Sequence, residues 1–521
     1  MAQPTVPEPI ADDELYAYTE GLRRDPRGAN PPDWRVDWAD GPWPVTVYSG
    51  GRRTSLSATS AGPLSALHRV LSGSLAISRV RNDPAGGVQA TPETPVPHHG
   101  PRVQMRRPVP SGGGMYPTEA YVVPAEEDLV HHYCPYRHEL VCLGRTGAAA
   151  LLRRTLGLAE GEPTGHLVVL TTRFWKSFYK YGDFTARLAA VDAGVVLGRI
   201  LRLAEAEPGP ARLRTGFPGA AVAECLGITA TEDVREVPWA VLGFGPPAGH
   251  RGAAHPASVP APPRALERSR RIKRSAAFDR LQRACQEPAV PPAPAVGGEP
   301  PAPPPLEPVP LAAPRRPALL DPAVLARRAS RGARFTGAEV ECAALSTVLH
   351  TATDALSGLA RTGSGPAAHW AAHTRLHCAV HRVSGVAPGW YRYQPEERSL
   401  LRTGADADPR CAVTVRKALL AASFNPELAA FTVHISTPLD WRAWRGPVAY
   451  REQQLAVGAA MEAITLAAAA ERLCGHPVLG FDADLIDRAY RLVDSGHGVQ
   501  GQICVGAVRA DPQWEMGISQ R

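Results

Sequence analysis

No two of the nine cysteines form a C-x-x-C pair. They stand singly at positions 134, 142, 225, 285, 342, 378, 411, 474 and 504. Scattered thiols of this kind fit a reducing compartment and inert buried positions, and they speak against a disulfide framework. Zinc and iron–sulfur sites have little support either. The histidines at 98–99, at 131–132 and between 369 and 381 lack thiol or carboxylate partners at metal-ligand spacing, so no metal is expected. The start shows no basic stretch followed by an apolar run, which predicts no secretory signal. Long apolar runs are missing too: the stretches near Val191–Leu203 and Val457–Ala470 are interrupted by Arg199 and Glu462. A membrane span needs about 20 apolar residues, so both read as buried helices. These absences together predict a cytoplasmic protein with no membrane partner. A GxGxxG in strand–turn–helix context and a GxxxxGK[ST] loop are also absent, which disfavours Rossmann-type dinucleotide and P-loop nucleotide binding. Part of the formal charge of +7 lies in the run Arg264–Arg274, RALERSRRIKR. It carries no interleaved aromatics. It therefore reads as a solvated face or a dock for an acidic peptide, and not as a nucleic-acid surface.

What the chain does have is length, proline and internal repetition. Its 521 residues allow two or three domains, and 44% hydrophobic content can supply their cores. The 53 prolines are clustered. Residues 1–45 read as an irregular arm or small accessory element. Residues 246–318 read as a Pro/Ala-rich connector whose basic run can form a short helix, because proline removes donors and stops helix propagation. The flanking domains, 46–245 and 319–521, echo each other. Arg52-Arg53-Thr54-Ser55 has a counterpart in Arg327-Arg328-Ala329-Ser330, and the strand-like HLVVLTT (166–172) in AFTVHIS (430–436) at an offset of 264. At that offset Gly182 falls on Gly446, Arg187 on Arg451 and Gly194 on Gly458. Each half then ends in a strand, VPWAVLGFG (237–245) or GQICVGAVR (501–509). Matched elements in one order predict a duplication with loop deletion. Two strands around a connection (122–143) and a hairpin (389–403) make each half α+β.

Three segments can carry chemistry. In RRASRGARF (327–335), two arginines and a serine offer forked donors and a hydroxyl to a phosphate, although such a run is also an ordinary solvated helix start. In RRPVPSGGGMYPTEAYVV (106–123), three glycines bring backbone amides close to whatever lies against them, and Pro110 and Pro117 stiffen the ends. That is either a surface turn or a cradle for a planar ligand. In TTRFWKSFYKYGDFTAR (171–187), Phe174, Trp175, Phe178, Tyr179 and Tyr181 alternate with Lys176 and Lys180 at a strand–helix junction. Such a cluster is core, or a pocket for an unsaturated or heterocyclic substrate. Lys180 and Tyr181 suit base and hydrogen-bond donor if burial lowers the lysine pKa and a nearby cation lowers that of the tyrosine.

The Arg-Arg-x-Ser start, the Pro-Ser-Gly-Gly–x-x–Tyr-Pro segment and the Lys-Tyr-Gly turn resemble the flavin-dependent azoline dehydrogenases of azole-containing, thiopeptide-type peptide biosynthesis, a nitroreductase-like branch. The resemblance covers approximately residues 50–245 and 320–510. It implies a tandem duplicated nitroreductase-like fold forming an intramolecular pseudo-dimer, with FMN between the copies. It also implies oxidation of peptide thiazolines or oxazolines to thiazoles or oxazoles, and a cyclodehydratase or leader-binding protein as a possible partner. Carried over, Arg327, Arg328, Ser330 and Arg331 would hold the phosphate, and Gly480-Phe481-Asp482 would approach the ring. Pro110, Ser111, Gly112 and Gly113 would complete the site from the other half. Lys180 and Tyr181 would manage the proton, either Tyr181 transferring it while Lys180 lowers its pKa or steadies the developing charge, or the two with their roles exchanged. Trp175, Phe178 and Tyr179 would line the substrate pocket. The chain departs from the pattern in one direction. Trp444-Arg445 replaces Lys180-Tyr181, residues 367–383 lack a Pro-Ser-Gly-Gly, and GFPGAAVAECLGI (216–228) echoes PVLGFDADLIDRAY (477–490) only loosely. One composite site and an eroded reciprocal one are expected, hence one FMN per chain, with a second flavin as the alternative. The competing functions are an NAD(P)H-dependent nitro or quinone reductase and a non-catalytic peptide- or partner-docking subunit.

Overall fold

Two eight-residue runs, His166–Arg173 (HLVVLTTR) and Phe431–Pro438 (FTVHISTP), are rich in β-branched and apolar residues and buried on both faces. Each is an inner strand of an antiparallel sheet in the computed structural model. The structure describes residues 12–30, 34–58, 62–83, 102–125, 127–144, 147–158, 164–228, 236–245, 264–287, 308–330, 334–364, 366–403, 408–420, 424–493, 495–509 and 515–517. Beside His166–Arg173 lie Glu236–Phe244 and then Arg212–Arg214. On its other side come Thr118–Val123, His131–Cys134, Glu139–Cys142 and Arg53–Ser55 in turn. Phe431–Pro438 has the same neighbours in the same order. His497–Gly506 and Cys474–Val478 lie on one side, and Arg375–Val380, Gly389–Gln394, Ser399–Arg402 and Val309–Pro310 on the other. Strand for strand, one half repeats the other. The chain is an internally duplicated α+β fold.

The repeat is shifted by one residue from the spacing read in the sequence. In the first half a bulge falls between Leu170 and Thr171, opposite Pro238 and Ala240. In the second it falls between Ile435 and Ser436, opposite Gly501 and Val499. Aligning the bulges places Leu170 on Ile435, an offset of 265 for this strand rather than 264. A one-residue slip exchanges the two faces of a strand. Only the shifted match puts Val168 and Leu170 with Val433 and Ile435, all four of which face the shared core. The helices that follow keep the 264 offset, so the turn before the helix is one residue longer in the first half. The Arg-Arg repeat does not survive either. Arg53–Ser55 is an edge strand whose topological counterpart is Val309–Pro310, not residues 327–330, and Arg52 and Arg53 pair there with Glu127 and Glu139.

The two apolar stretches form the central helices, Thr185–Glu205 and Pro447–Ala470, which pack on each other between the sheets and are buried almost all round. Gly194 and Gly458 set their closeness. A Cβ on Gly194 would lie 2.8 Å from Leu455 Cα, and one on Gly458 would lie 2.6 Å from Val195 N, against Val191 and Gly194 backbone. Leu455 is the 264-offset partner of Val191, so each glycine makes the same approach from its own half. Arg187 and Arg451 repeat the symmetry. Arg187 donates to the Gln500 carbonyl at the second half's bulge. Arg451 donates to Thr215 O at 2.5 Å and to Pro238 O, beside the first half's bulge, at 3.5 Å. Arg199 Nε meets Glu462 Oε1 at 2.6 Å with both side chains buried. Removing one partner of such a pair costs about 3–5 kcal/mol.

The two halves are laced together. Gly363–Ser364, from the second half, adds a parallel strand to the first sheet beside Arg212–Arg214. Glu515–Gly517 joins the first half's hairpin of Arg79–Asp83 and Arg102–Arg106. The arm contributes the helix Asp12–Arg24, which docks on the second half. Arg23 pairs with Asp487 at 2.7 Å, Arg24 with Asp484 at 2.7 Å, and Trp441 Nε1 donates to Thr19 Oγ1 at 3.1 Å. Within the connector, the basic run opens as a strand, Arg264–Leu266, paired with Val47–Ser49. The helix expected inside it begins after it, at Ala276, where Ser275 caps Phe278 N. Phe278 on that helix packs edge-on against Phe174 and Phe178, with centroids 4.9 and 5.1 Å apart. Among the described residues no helix is long and apolar enough to cross a membrane.

Candidate functional site

The Pro-Ser-Gly-Gly-Gly segment runs from the end of Arg102–Arg106 to the start of Thr118–Val123 and folds as a tight turn at Gly112–Gly114. Gly113 and Gly114 have φ of +60° and +70°, a region that favours glycine. A side chain at Gly113 would run into the Tyr181 hydroxyl and stand 2.9 Å from Lys180 Nζ. One at Gly112 would lie 2.7 Å from Leu188 Cγ, and one at Gly114 would strike the Arg106 guanidinium. The structure thus brings the glycine turn against Lys180 and Tyr181. Ser111 is held within the protein: its hydroxyl donates to Asp192 Oδ2 at 2.5 Å and accepts from Tyr116 N at 2.9 Å. Gly112 N also donates to Asp192 Oδ1, at 3.1 Å. Burial pushes the Asp192 carboxyl up to about 7, against the opposing pull of the Ser111 and Gly112 hydrogen bonds. Sequence reasoning passed over Asp192. Its signal was an acid within the apolar run Leu188–Leu197 of the helix.

Lys180 and Tyr181 close the short helix Trp175–Tyr181, which stops at Gly182 with φ of +51°. Asn30 of the arm clamps this stop: its Nδ2 donates to Tyr181 O and its Oδ1 accepts from Asp183 N, both at 3.0 Å. Lys180 Nζ lies 4.9 Å from the Tyr181 ring centroid and 5.6 Å from that of Trp38. Burial, with Arg106 second, lowers the Lys180 pKa, as expected. The tyrosine moves the other way from expectation. Burial, with Asp192 and Tyr179 behind it, raises the Tyr181 pKa, because the cation above the ring does not offset the lost hydration of a phenolate. Tyr181 is therefore a protonated donor, not a pre-formed base.

The other aromatics divide. Phe178 is buried between Trp34 and Phe278, and Trp175 is buried with its indole N–H donated to Ser269 Oγ at 2.7 Å. Tyr179 is half-buried beside the glycine turn, its hydroxyl 3.4 Å from Met115 Sδ and its ring edge-on to Trp38. Lys176, one turn earlier on the same helix, is fully buried against Glu119 Oε1 at 2.5 Å. Glu119 also accepts from Thr46 at 2.7 Å and meets His132 at 3.2 Å, so this lysine belongs to a structural network.

From the second half, Arg328 follows the helix Pro322–Arg327 and buries its guanidinium in the first half. Its Nε donates to Pro108 O at 2.6 Å, two residues before Pro110. Its Nη1 is buried with no partner among the described residues. Burial first, then Arg79, lowers its pKa to about 10. Arg79 grips the same segment, donating to Arg328 O at 3.0 Å. Arg107, also unremarked in the sequence, is buried with Nη1 on Thr118 O at 3.0 Å, while its Nη2 lacks a partner among the described residues. Two buried guanidiniums with unanswered N–H groups fit an anionic ligand, since a buried donor left unmatched costs about 1–3 kcal/mol, more when charged. Arg327 turns elsewhere, its Nε to Ala469 O at 3.2 Å. Ser330 is half-buried just beyond, and Arg331 lies outside the described residues. Gly480 has open space on its Cα, and its carbonyl accepts from Leu420 N at 3.1 Å. Phe481 packs in the second half's own cluster, edge-on to His434. The geometry thus joins Arg328 to Pro108 and Gly113 to Lys180 and Tyr181, and gives no such contact for Gly480 or Phe481.

The reciprocal position is filled. Where the first half has its glycine turn before Thr118–Val123, the second has the helix Pro366–His373 before Arg375–Val380. Trp444, standing where Lys180 stands, stacks on His369, Trp370 and His373 with centroids 3.8, 5.0 and 4.8 Å apart.

No protein-family model and no curated protein matches this sequence. Among solved structures, a protein from Anabaena variabilis described as a nitroreductase aligns over 95% of this chain and 99% of its own, with a TM-score of 0.71 and 19% identity. A protein from Ralstonia eutropha, also described as a nitroreductase, aligns with 43% of this chain and 100% of its own, at a TM-score of 0.31 and 16% identity. The E. coli microcin synthetase McbBCD complex with truncated pro-MccB17 bound aligns with 45% of this chain and 94% of the matched one, at a TM-score of 0.24 and 19% identity. The first likeness, over nearly the full length of both chains, defines the class: this chain has a nitroreductase-like fold, present twice.

Proposed function

We propose that this protein is an FMN-dependent oxidoreductase that converts azoline rings of a peptide into azoles. The observation that carries the reading is the meeting of Lys180 and Tyr181 with Gly113 at a turn whose counterpart in the other half is shorter and closed by Trp444. Arg328 and Arg107, each with an unanswered N–H, would hold the FMN phosphate. The Gly112 and Gly113 backbone, pinned through Ser111 to Asp192, would face its ring system. FMN, when bound, supplies a two-electron acceptor for a hydride. The chain's own residues manage the proton. Lys180, its pKa lowered by burial, takes the acidic α-proton of the azoline. Tyr181, still protonated, donates a hydrogen bond to the charge that develops. Tyr179 and Trp38 would frame the ring, while Trp175 and Phe178 support that wall from behind. An azoline loses one proton and one hydride and becomes aromatic, so the reaction needs alignment more than driving force.

A second reading, an NAD(P)H-dependent nitro or quinone reductase, is favoured by the full-length likeness to a protein described as a nitroreductase. One pair of measurements separates them. Flavin-loaded protein is mixed anaerobically with an azoline peptide or with NAD(P)H, and bleaching of the flavin band is followed. Under the azoline reading the peptide bleaches it, and Lys180→Ala and Tyr181→Phe keep their flavin but turn over at least about 100-fold more slowly. Fast bleaching by NAD(P)H alone, with peptide inert, assigns the reductase.

A further inference from the structure

On the outer face of the second sheet, away from the glycine turn, lies a cavity of about 120 Å³. Its walls carry Arg375, His377, Arg392, Arg402, Arg491 and His497, and no acidic residue lines it among the described residues. His377 is only 1% exposed and His497 only 9%. His377 Nε2 meets Ser436 Oγ at 2.9 Å, leaving its Nδ1 buried without a partner among the described residues. His497 Nδ1 and Arg392 Nε are buried and unmatched in the same way. Arg402 donates to the Tyr391 hydroxyl at 3.2 Å, and Arg491 is exposed at the rim.

The duplication supplies an internal control. By strand register Arg375 and Arg392 occupy the places of Glu119 and His132 in the first half. There the carboxylate closes the position with its own partners, Lys176 and His132. In the second half a guanidinium replaces the carboxylate, and the result is a cavity lined by cations with several buried nitrogens unanswered. The guanidiniums of Arg375 and Arg392, with Arg491 at the rim, call for an anion, while that of Arg402 is turned to Tyr391; forked Arg donors match the oxygens of phosphate. A neighbouring cavity of about 580 Å³ shares Arg375 and Arg392 as walls and also holds Leu356, Ser357 and Tyr393. It has room for an organic body attached to that anion. We propose that the smaller cavity binds a phosphate dianion, free or as the head of a phosphomonoester. This site is separate from the flavin reading and stands without it.

The test is titration calorimetry on the full flavin-loaded chain with inorganic phosphate, phenyl phosphate and succinate. Phosphate or phenyl phosphate should bind, and Arg392→Ala should weaken that binding about 10-fold or more with flavin content unchanged. Arg491→Asn, exposed and tolerant of its φ of +58°, should weaken it several-fold even if the first variant folds poorly. Arg52→Ala, at an exposed position on the first half, should leave it unaffected. Equal affinity for the two phosphates marks free phosphate as the ligand; a marked preference for phenyl phosphate marks an ester whose body enters the larger cavity. Failure of both to bind, affinity untouched by Arg392→Ala and Arg491→Asn, a loss on Arg52→Ala as large as on Arg392→Ala, or tighter binding of succinate would each overturn the proposal.

Discussion

Ser111 makes two hydrogen bonds inside the protein, to Asp192 and from Tyr116 N, so its first task is to set the glycine turn. Its carboxylate partner has a measurable signature. The Asp192 pKa stands near 7 in the fold against 3.8 for the free side chain, so the native state holds a proton that the unfolded chain has lost. Stability therefore falls as pH rises from about 4 to 7, by at most about 4 kcal/mol. Asp192→Asn should flatten that slope in urea melts taken across the window; an unchanged slope would show that the carboxyl titrates normally. Arg328 makes a second prediction at this scale. Arg328→Ala should strip FMN from the purified protein, read as at least a 10-fold rise in its dissociation constant, while Arg52→Ala leaves it bound. Equal losses would refute the assignment of the phosphate to Arg328. The residues met in this region were legible where they formed a run, as in Ser111–Gly113 or Lys180-Tyr181. Asp192, Arg107 and Asn30 were not, because a single polar residue acquires its partner only when distant segments fold together.

Among the elements, the central helices show how far spacing carries. Gly194 and Gly458 were matched by offset alone, and both prove to be the points where the two helix backbones touch. Gly194→Ala would set a methyl within 3 Å of Leu455 backbone, which cannot swing aside. A loss of about 3 kcal/mol is expected, seen as a lower urea midpoint at unchanged slope. Gly21, with nothing within 4 Å, should tolerate the same change. Strand register was less legible. An offset of 264 fits the helices, but the inner strands match at 265, because alternation within a buried strand is weak when both faces are apolar or masked by Thr and Ser. The missing residue lies in the turn that carries Lys180 in one half and Trp444 in the other. Local sequence also misjudged Arg52–Ser55, where an Arg-Arg-x-Ser likeness concealed an edge strand.

At the scale of the molecule, duplication and the α+β class were readable because the order of elements repeats even where residues do not. The lacing was not readable: a two-residue strand such as Gly363–Ser364 and the three-residue Glu515–Gly517 have no pattern of their own. One FMN per chain is expected from the Trp444, His369, Trp370 and His373 stack at the reciprocal position. Flavin released by acid and weighed against protein concentration checks it; two per chain would mean that this stack opens.

That stack also bears on how such a protein can change over generations. In a dimer of identical chains every substitution is written into both sites at once, so a tryptophan in place of a catalytic lysine would abolish both. Joining the copies in one chain removes that coupling. Each half is then free to vary alone, and a position relieved of one duty, as Arg375 and Arg392 are of the Glu119 network, is open to take up another.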